Sequence, residues 1–297
     1  ASDITKTSYG GNAMSEIPLI WVKRWTQNNY HFVVFCEEQY DDTYKAYAHT
    51  DADGNVLPVT YFPMYEGSVV NNRMRSLSGL TPTASMTDEQ ETTAAKQNGD
   101  RWDKQSFSEI NLMYEMCTMI TCSTNSQGKF GNGNSQSDNF LQTGTLNGKG
   151  QFFGYNDTTH EVKVFYMEKP WGNRWDRING LLMVGGEILA KMTPPYNLTG
   201  KGFEKVGITF ASSGNGYQKG TKSSRFGRIV NSIGGSSSTY TCDYFWWNAG
   251  ITAVALVGGS CGNGERCGAD CLYLYASAGN ASWDFGASVF LEQPIAA

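Results

Sequence analysis

Toward the C-terminus, Val257-Gly258-Gly259-Ser260 opens a glycine-studded segment that closes at Trp283-Asp284-Phe285-Gly286. Between these ends the chemistry is mixed: Cys261, Asn263, Glu265, Arg266, Cys267, Asp270, Cys271, Tyr273 and Tyr275 follow one another. Such a stretch is too apolar and aromatic for a plain loop, and too irregular for a helix or a single strand. It requires a rigid scaffold carrying an irregular, glycine-turned path, the usual setting for recognition chemistry. Aromatic and Arg side chains supply binding energy there at low entropic cost. One part is regular. Leu272 and Leu274 alternate with Tyr273 and Tyr275, and in a strand that alternation buries the leucines and displays the tyrosines.

Composition points the scaffold toward β structure. Of 297 residues 34 are Gly, and 17% are charged, against averages of roughly 7% and ~25%. The net charge of −5 argues against a nucleic-acid partner, which favours a basic face. No run of about 18 apolar residues exists, so no transmembrane helix and no membrane insertion are expected. Ala1 to Asn12 lack the charged-then-apolar order of a signal peptide, although processing removes such a segment.

The seven cysteines are Cys36, Cys117, Cys122, Cys242, Cys261, Cys267 and Cys271. An odd count at irregular spacing makes a poor disulfide framework. Cys242, Cys261, Cys267 and Cys271 cluster in sequence but contain no C-x-x-C pair, so neither a metal nor a cofactor is expected. Cys117, in an apolar helical stretch, reads as a small core residue.

Residues 1–66 read as a β-rich N-terminal region, with apolar runs at Ile17 to Val22 and His31 to Cys36. Asp51-Ala52-Asp53-Gly54-Asn55 resembles the start of a calcium loop, but the glycine comes one place early and no bidentate Glu follows. A turn is the expectation. Thr87 with Gln90 and Ser106 with Glu109 form two capping-box patterns. The first helix carries Asp88, Glu89 and Glu91 at its start and ends by Gly99. The second paints one apolar stripe through Ile110, Met113, Tyr114, Cys117 and Ile120, with its methionines filling core. Gly128 to Gly150 reads as a surface loop and lacks the Lys-Ser/Thr of a phosphate cradle. Strand-like runs follow at Val162 to Met167, Gly180 to Met192, Val206 to Phe210, Tyr240 to Trp247, Thr252 to Val257 and Ala287 to Leu291. Strands after two helices predict an α+β domain over 67–297.

No catalytic residue is predicted. The histidines, His31, His49 and His160, adjoin no Ser, Cys or ligand cluster of a triad or zincin type. Carboxylate pairs such as Asp176 with Glu168, or Asp284 with Glu292, have no separation that sequence can fix. Trp171-Gly172-Asn173-Arg174-Trp175-Asp176-Arg177 suits a sugar-stacking site or a buried Trp pair crossed by Arg, and the structural role is favoured.

Several motifs then converge. Tyr65-Glu66-Gly67-Ser68, Met74 to Gly79 and Thr81-Pro82-Thr83 resemble the openings of phage tail-associated proteins. The loop at Ser126 to Ser135 and the tryptophan-rich turn at Pro170 to Gly180 continue that resemblance. Gly258-Gly259-Ser260, Gly264, Gly268-Ala269, Trp283 and Gly286-Ala287-Ser288 resemble the C-type-lectin-like fold of retroelement-diversified variable proteins and of formylglycine-generating enzymes. The resemblance spans roughly Ile17 onward and implies a C-type-lectin-like domain with a variable region at about 240–286.

In that family a mutagenic retroelement rewrites adenines at positions scattered over the binding surface. The resemblance implies that Cys261, Gly262, Asn263, Arg266, Cys267, Asp270, Cys271, Tyr273, Tyr275, Asp284 and Phe285 occupy such slots. Phe245, Trp246, Trp247, Ile251 and Thr252 form a second cluster. Glu265 belongs to the predicted ligand-binding set but fits diversification less well, since adenine changes alone do not turn an Asn codon into Glu. Cysteines at such slots are sampled side chains, while Gly258, Gly259, Gly264, Gly268, Leu272, Leu274, Trp283 and Gly286 hold the fold. The implied function is a non-enzymatic adhesin of a phage tail or bacterial surface, binding a host cell-surface protein or glycan, with a homotrimer as the family-typical assembly. The alternatives are a formylglycine-generating-type enzyme using paired cysteines and a calcium-dependent lectin with ligands near Trp246-Trp247-Asn248.

Overall fold

The β-rich pattern resolves into short strands, and the computed structural model describes residues 3–28 and 30–291. The N-terminal part comprises β1 (Met14–Pro18), the hairpin β2 (Trp21–Gln27) and β3 (Tyr30–Cys36), β4 (Val59–Pro63), and the hairpin β5 (Ser68–Val70) and β6 (Arg73–Arg75). Helix α1 (Asp88–Lys96), strand β7 (Trp102–Lys104), helix α2 (Phe107–Thr121) and the short α3 (Ser126–Phe130) come next. Then follow β8 (Lys163–Val164), β9 (Met167–Glu168), β10 (Trp175–Val184), β11 (Glu187–Ala190), β12 (Glu204–Thr209), β13 (Gly214–Ser224) and β14 (Gly227–Ile233). The chain closes through β15 (Tyr244–Trp247), β16 (Thr252–Val257), β17 (Leu272–Ala276), β18 (Phe285–Gly286) and β19 (Val289–Leu291).

Local chemistry explains the better-defined elements. Both capping boxes form: Thr87 and Gln90 bond reciprocally at α1, as do Ser106 and Glu109 at α2. The expected strand at 180–192 is a hairpin, because Gly185 and Gly186 turn the chain at φ +57° and +81°. The run at 17–22 likewise divides between β1 and β2. Asp51 closes its own turn, its Oδ1 accepting from the backbone N–H of Asp53 and Asn55 at 3.0 and 2.8 Å. The hairpin of β13 and β14 has no counterpart among the sequence-predicted strands.

The protein is mostly β, with 35% strand and 12% helix, and its main sheet is nearly closed and barrel-like. Strand order in that sheet is β12-β11-β10-β16-β17-β15-β13-β14, with β18 beside β10. Most pairs are antiparallel, whereas β15 runs parallel to β17 and β18 parallel to β10. Helix α2 is sunk into the core rather than laid on it. Every residue from Phe107 to Cys117 is buried, so the expected single stripe becomes a helix covered on all sides. Its polar groups are matched: Asn111 donates to Phe226 O, Tyr114 to Pro170 O, and Glu115 pairs with Arg24. The stripe stops at Cys117, and Ile120 is exposed.

The boundary predicted between 66 and 67 is crossed by structure. A second sheet, in the order β1-β4-β19-β7, pairs N-terminal strands with the last one, and Ile17, Val22 and Phe62 belong to the same core as β16 and β17. The physical reason is that β1 and β4 alone form a two-stranded pair, which needs further strands to bury a face.

Ionic contacts tie these parts together inside the protein. Lys169 Nζ lies 2.9 Å from Glu66 and 3.2 Å from Asp176. Arg174 reaches Asp176 at 3.0 Å and donates to the carbonyls of Gly67 and Ala287. Burial would lift the Asp176 carboxyl, but Lys169 and Arg174 outweigh it and hold the group below its ordinary range. Arg177 pairs with Glu91 at 2.7 Å, and Lys104 with Asp88. The Trp171–Arg177 cluster is therefore structural, although its arginines bind carboxylates and carbonyls rather than the tryptophan faces. The expected surface loop at 128–150 is buried in part, since Asn134 and Ser135 are fully enclosed.

Glu161 lies in the same interior. Burial, reinforced by Glu66, pushes its carboxyl well above the usual 4.5, against the pull of Lys169. The folded chain keeps a proton there that the unfolded chain releases, so this group's contribution is full below about pH 4.5 and declines as pH rises. Glu161→Gln is expected to flatten that decline and to raise the melting temperature at pH 8 by about 2–4 °C. Melting curves from pH 4 to 8 check this, and parallel profiles for the two proteins would overturn it.

Candidate functional site

The C-terminal segment divides into a buried and an exposed set, and strand geometry does most of the sorting. Leu272 and Leu274 point into the core, while Tyr273 is half-buried and Tyr275 is 43% exposed on the opposite face. Phe245 and Trp247 likewise face the core, and Trp246 the outside. β15 and β17 lie side by side with Trp246 opposite Tyr273, and β13 sets Asn215 opposite Trp246 and Tyr217 opposite Tyr244. The alternation thus aligns aromatic side chains across three strands.

The result is a connected aromatic band. Tyr217 and Tyr244 lie 4.8 Å apart between ring centroids, Tyr244 and Trp246 4.4 Å, and Tyr273 and Tyr275 6.0 Å. Beneath it a small apolar cluster of Trp175, Leu256, Cys271, Ala276 and Phe285 supports Trp246 and Tyr273. Arg266 stacks over Tyr244 at 4.9 Å, and Tyr217 donates to Glu265 at 2.8 Å. Burial and Glu265 push the Tyr217 phenol up to about 12, so it remains a donor.

The turn carrying Asn263 to Arg266 is held from below. Gly264 N–H donates to Ser135 O at 2.6 Å, and Gln127 Nε2 to Gly264 O at 3.2 Å. Asn263 Oδ1 accepts from both the N–H and the hydroxyl of Ser260. A polar cleft of 620 Å³ runs beside this turn, lined by Gln127, Asn132, Gln136 and Thr158 as well as Asn263, Glu265 and Arg266. Band and cleft together offer stacking faces, one guanidinium, one carboxylate and several amides.

Six of the predicted display residues are buried instead: Phe245, Trp247, Cys261, Cys267, Cys271 and Phe285. Phe245 and Trp247 are inward by strand alternation, and Phe285 lies under Tyr273 at 5.5 Å. Cys261 joins two loops, its N–H donating to the carbonyl of the buried Asn173 and its own carbonyl accepting from Ser137 N–H. Cys267 packs where Gly259 turns at φ +87°, and a Cβ on Gly259 would meet its sulfur at 2.5 Å. Burial pushes all three thiols up, Cys261 to about 11 and the other two further, so they stay neutral.

Asp270 is also structural. It forms a close ion pair with Arg228, at 2.6 Å, and its N–H donates to Asp243. Gly268 is required there, since a Cβ would lie 2.4 Å from the Asp243 carboxylate. Asp284 is half-buried and accepts from Ser260 and Ser282. Ile251 packs against the core and Thr252 is exposed at the start of β16, opposite Val184. Trp283, expected to hold the fold, is 56% exposed and stacks on Phe140. Glu292 lies outside the described residues.

Tyr217, Asn215, Tyr244 and Gln127 were not singled out by sequence. Tyr217 and Asn215 sit in Gly-Asn-Gly-Tyr, which reads as turn chemistry, and only pairing of β13 with β15 brings them to the band. No protein-family model matches the chain, and no curated protein matches it either.

The two sets differ in what they tolerate. Cys271→Tyr, which overfills an enclosed position, is expected to cost about 3 kcal/mol or more. Arg266→Ala is expected to stay within about 0.5–1 kcal/mol of the parent. Urea unfolding of both variants decides it, and equal stabilities would contradict the buried assignment.

Proposed function

We propose that this chain is a non-enzymatic binding protein, an adhesin of a phage or prophage tail that contacts a host cell-surface protein or glycan. Its scaffold would be α+β and C-type-lectin-like, and its site would be the band and cleft formed largely by the C-terminal segment. The observation that carries this reading is the continuous run of Tyr217, Tyr244, Trp246, Tyr273 and Tyr275 on one sheet face, rimmed by Arg266 and Glu265. Aromatic and Arg groups on a rigid frame are the chemistry of binding hot spots. A glycan would stack on the rings and bond to the cleft amides, and a protein ligand would use the same groups.

The diversified surface proposed from the family resemblance then narrows to the outward positions. Trp246, Thr252, Gly262, Asn263, Arg266, Tyr273, Tyr275 and Asp284 remain in it, with Glu265 as a fixed neighbour, whereas Ile251 leaves it because it packs against the core. Sequencing related loci tests this narrowing: variation should concentrate at these codons, and uniform residues there would remove the idea. The enzyme alternative draws less support, because a reactive cysteine needs thiolate character and burial keeps Cys261, Cys267 and Cys271 protonated. For the lectin alternative, Asn248 Oδ1 is already engaged by Ser213 and Gly250.

Binding of the purified chain to candidate bacterial host cells, glycans and outer-membrane proteins is the direct experiment. Trp246→Ala and Tyr275→Ala are each expected to weaken binding on the order of ten- to thirtyfold. Thermal melts of the same variants separate lost contact from lost folding. Binding to no cell surface, together with failure to assemble into virions, would sink the adhesin reading.

A further inference from the structure

Lys104 is wholly enclosed, an unusual position for Lys unless a close partner accompanies it. It ends β7 and pairs with Val289 of β19, which fixes its backbone in the second sheet. Helix α1 packs there through the apolar cluster of Met74, Ala94, Ala95 and Val289. Asp88 opens that helix, and its N–H donates to Ala278 O at 2.9 Å. The two side chains meet inside the protein. Lys104 Nζ lies 2.5 Å from Asp88 Oδ2 and 4.0 Å from Glu91 Oε2, and all three side chains are buried. Asp88 and Glu91 stand three positions apart, on one face of the helix.

Such a contact brings reacting atoms together. With a carboxyl C–O bond of about 1.2 Å, Nζ lies within about 3.7 Å of the Asp88 carboxyl carbon, near the ~3–3.5 Å of an attack geometry. The other buried pairs differ. Arg24, Arg174, Arg177 and Arg228 present guanidinium groups, which stay charged and offer no free amine. Lys169 shares its carboxylates, Glu66 and Asp176, with Arg174, so they too stay charged. Among the described cations Asp88 meets Lys104 alone. Holding that pair away from water costs the hydration of both charges. Joining the two as an amide removes both charges and leaves Glu91 paired with Arg177 at 2.7 Å.

We propose that Lys104 and Asp88 condense to an isopeptide bond, a covalent cross-link between α1 and β7, with Glu91 carrying the proton. One proton passes from the ammonium to the carboxylate along the 2.5 Å contact, leaving a neutral amine beside a carboxylic acid. Nζ then attacks the carboxyl carbon and the N–C bond forms. Glu91 takes a proton from the nitrogen and returns it to the departing hydroxyl. One C–O bond breaks, one water leaves, and Glu91 is unchanged. Burial pushes the Glu91 carboxyl above its ordinary range, against Lys104 and Arg177, which suits a group that takes up and returns a proton. Holding both reactants in place gives an effective molarity on the order of 10⁵ M or more, which offsets condensation in water. The bond clamps α1 to the edge strand of the second sheet. It is independent of the aromatic band and of the adhesin reading.

Mass spectrometry of the full chain, purified folded and then denatured and reduced, should show the sequence mass less one water. Trypsin should release residues 76–96 joined to residues 102–129, because an acylated Lys104 is not cleaved. Lys104→Arg keeps the cation, removes the nucleophile and should show the full mass of its own sequence. Glu91→Gln should slow condensation by about a hundredfold or more, read as the uncondensed fraction over time after synthesis. An unmodified mass in the parent protein would overturn the proposal, as would a lost water with 76–96 and 102–104 released separately. Complete cross-linking of Glu91→Gln at the parent's rate would overturn the role given to Glu91.

Discussion

The buried link between Asn173 and Glu66 is the contact on which the other long-range connections depend. Asn173 sits in the left-handed region at φ +53°, a conformation Asn tolerates better than most residues. In that pose its side chain donates to Glu66 and accepts from Asn134 Nδ2 and the Leu141 N–H. Its backbone carbonyl accepts from Cys261. One residue thereby joins the N-terminal strands, the loop after α3 and the start of the C-terminal segment. Lys169, Arg174 and Asp176 complete the surroundings of Glu66. Removing several charges from water is costly, and the cost is offset only when each finds close partners. That all-or-none character explains why four distant parts of the chain adopt one arrangement.

The placing of the aromatic band follows from this frame. Arg174 passes against Gly286, where a Cβ would lie 2.5 Å from the guanidinium carbon, and it grips the carbonyl of Ala287. Both ends of the glycine-studded segment are thus anchored to the same buried charges. Between the anchors, β17 enters the sheet beside β15 and carries Tyr273 to Trp246. The turn at Asn263 to Arg266 rests on Gln127 of α3 and on Ser135, which belongs to the loop ordered by Asn173. A preorganised aromatic band loses less entropy on binding than a mobile one.

Where local chemistry decides structure, the sequence was readable. Thr87–Gln90 and Ser106–Glu109 specify helix starts through their own hydrogen bonds, and Leu272 and Leu274 alternate with Tyr273 and Tyr275 as a strand requires. Where partners come from far along the chain, it was not. The thiols of Cys261, Cys267 and Cys271 read as outward side chains because the family resemblance places variable slots at their positions. They are enclosed because loops around 134–139 and strand β15 pack over them. Trp283 differs in the other direction: the resemblance makes it a fold-holding residue, while it lies on Phe140 at the surface.

By itself, then, the sequence determined the mostly β character, the two capped helices, the glycine turns and the alternation of β17, since these depend on residues within a few positions of one another. Tertiary structure alone decided which mixed residues face outward, that Tyr217 and Asn215 join the band, and that α2 is enclosed from Phe107 to Cys117. It also decided that the region before residue 67 shares a core with the rest. Burial and strand pairing are non-local, and a side chain's exposure depends on which distant segment lies over it.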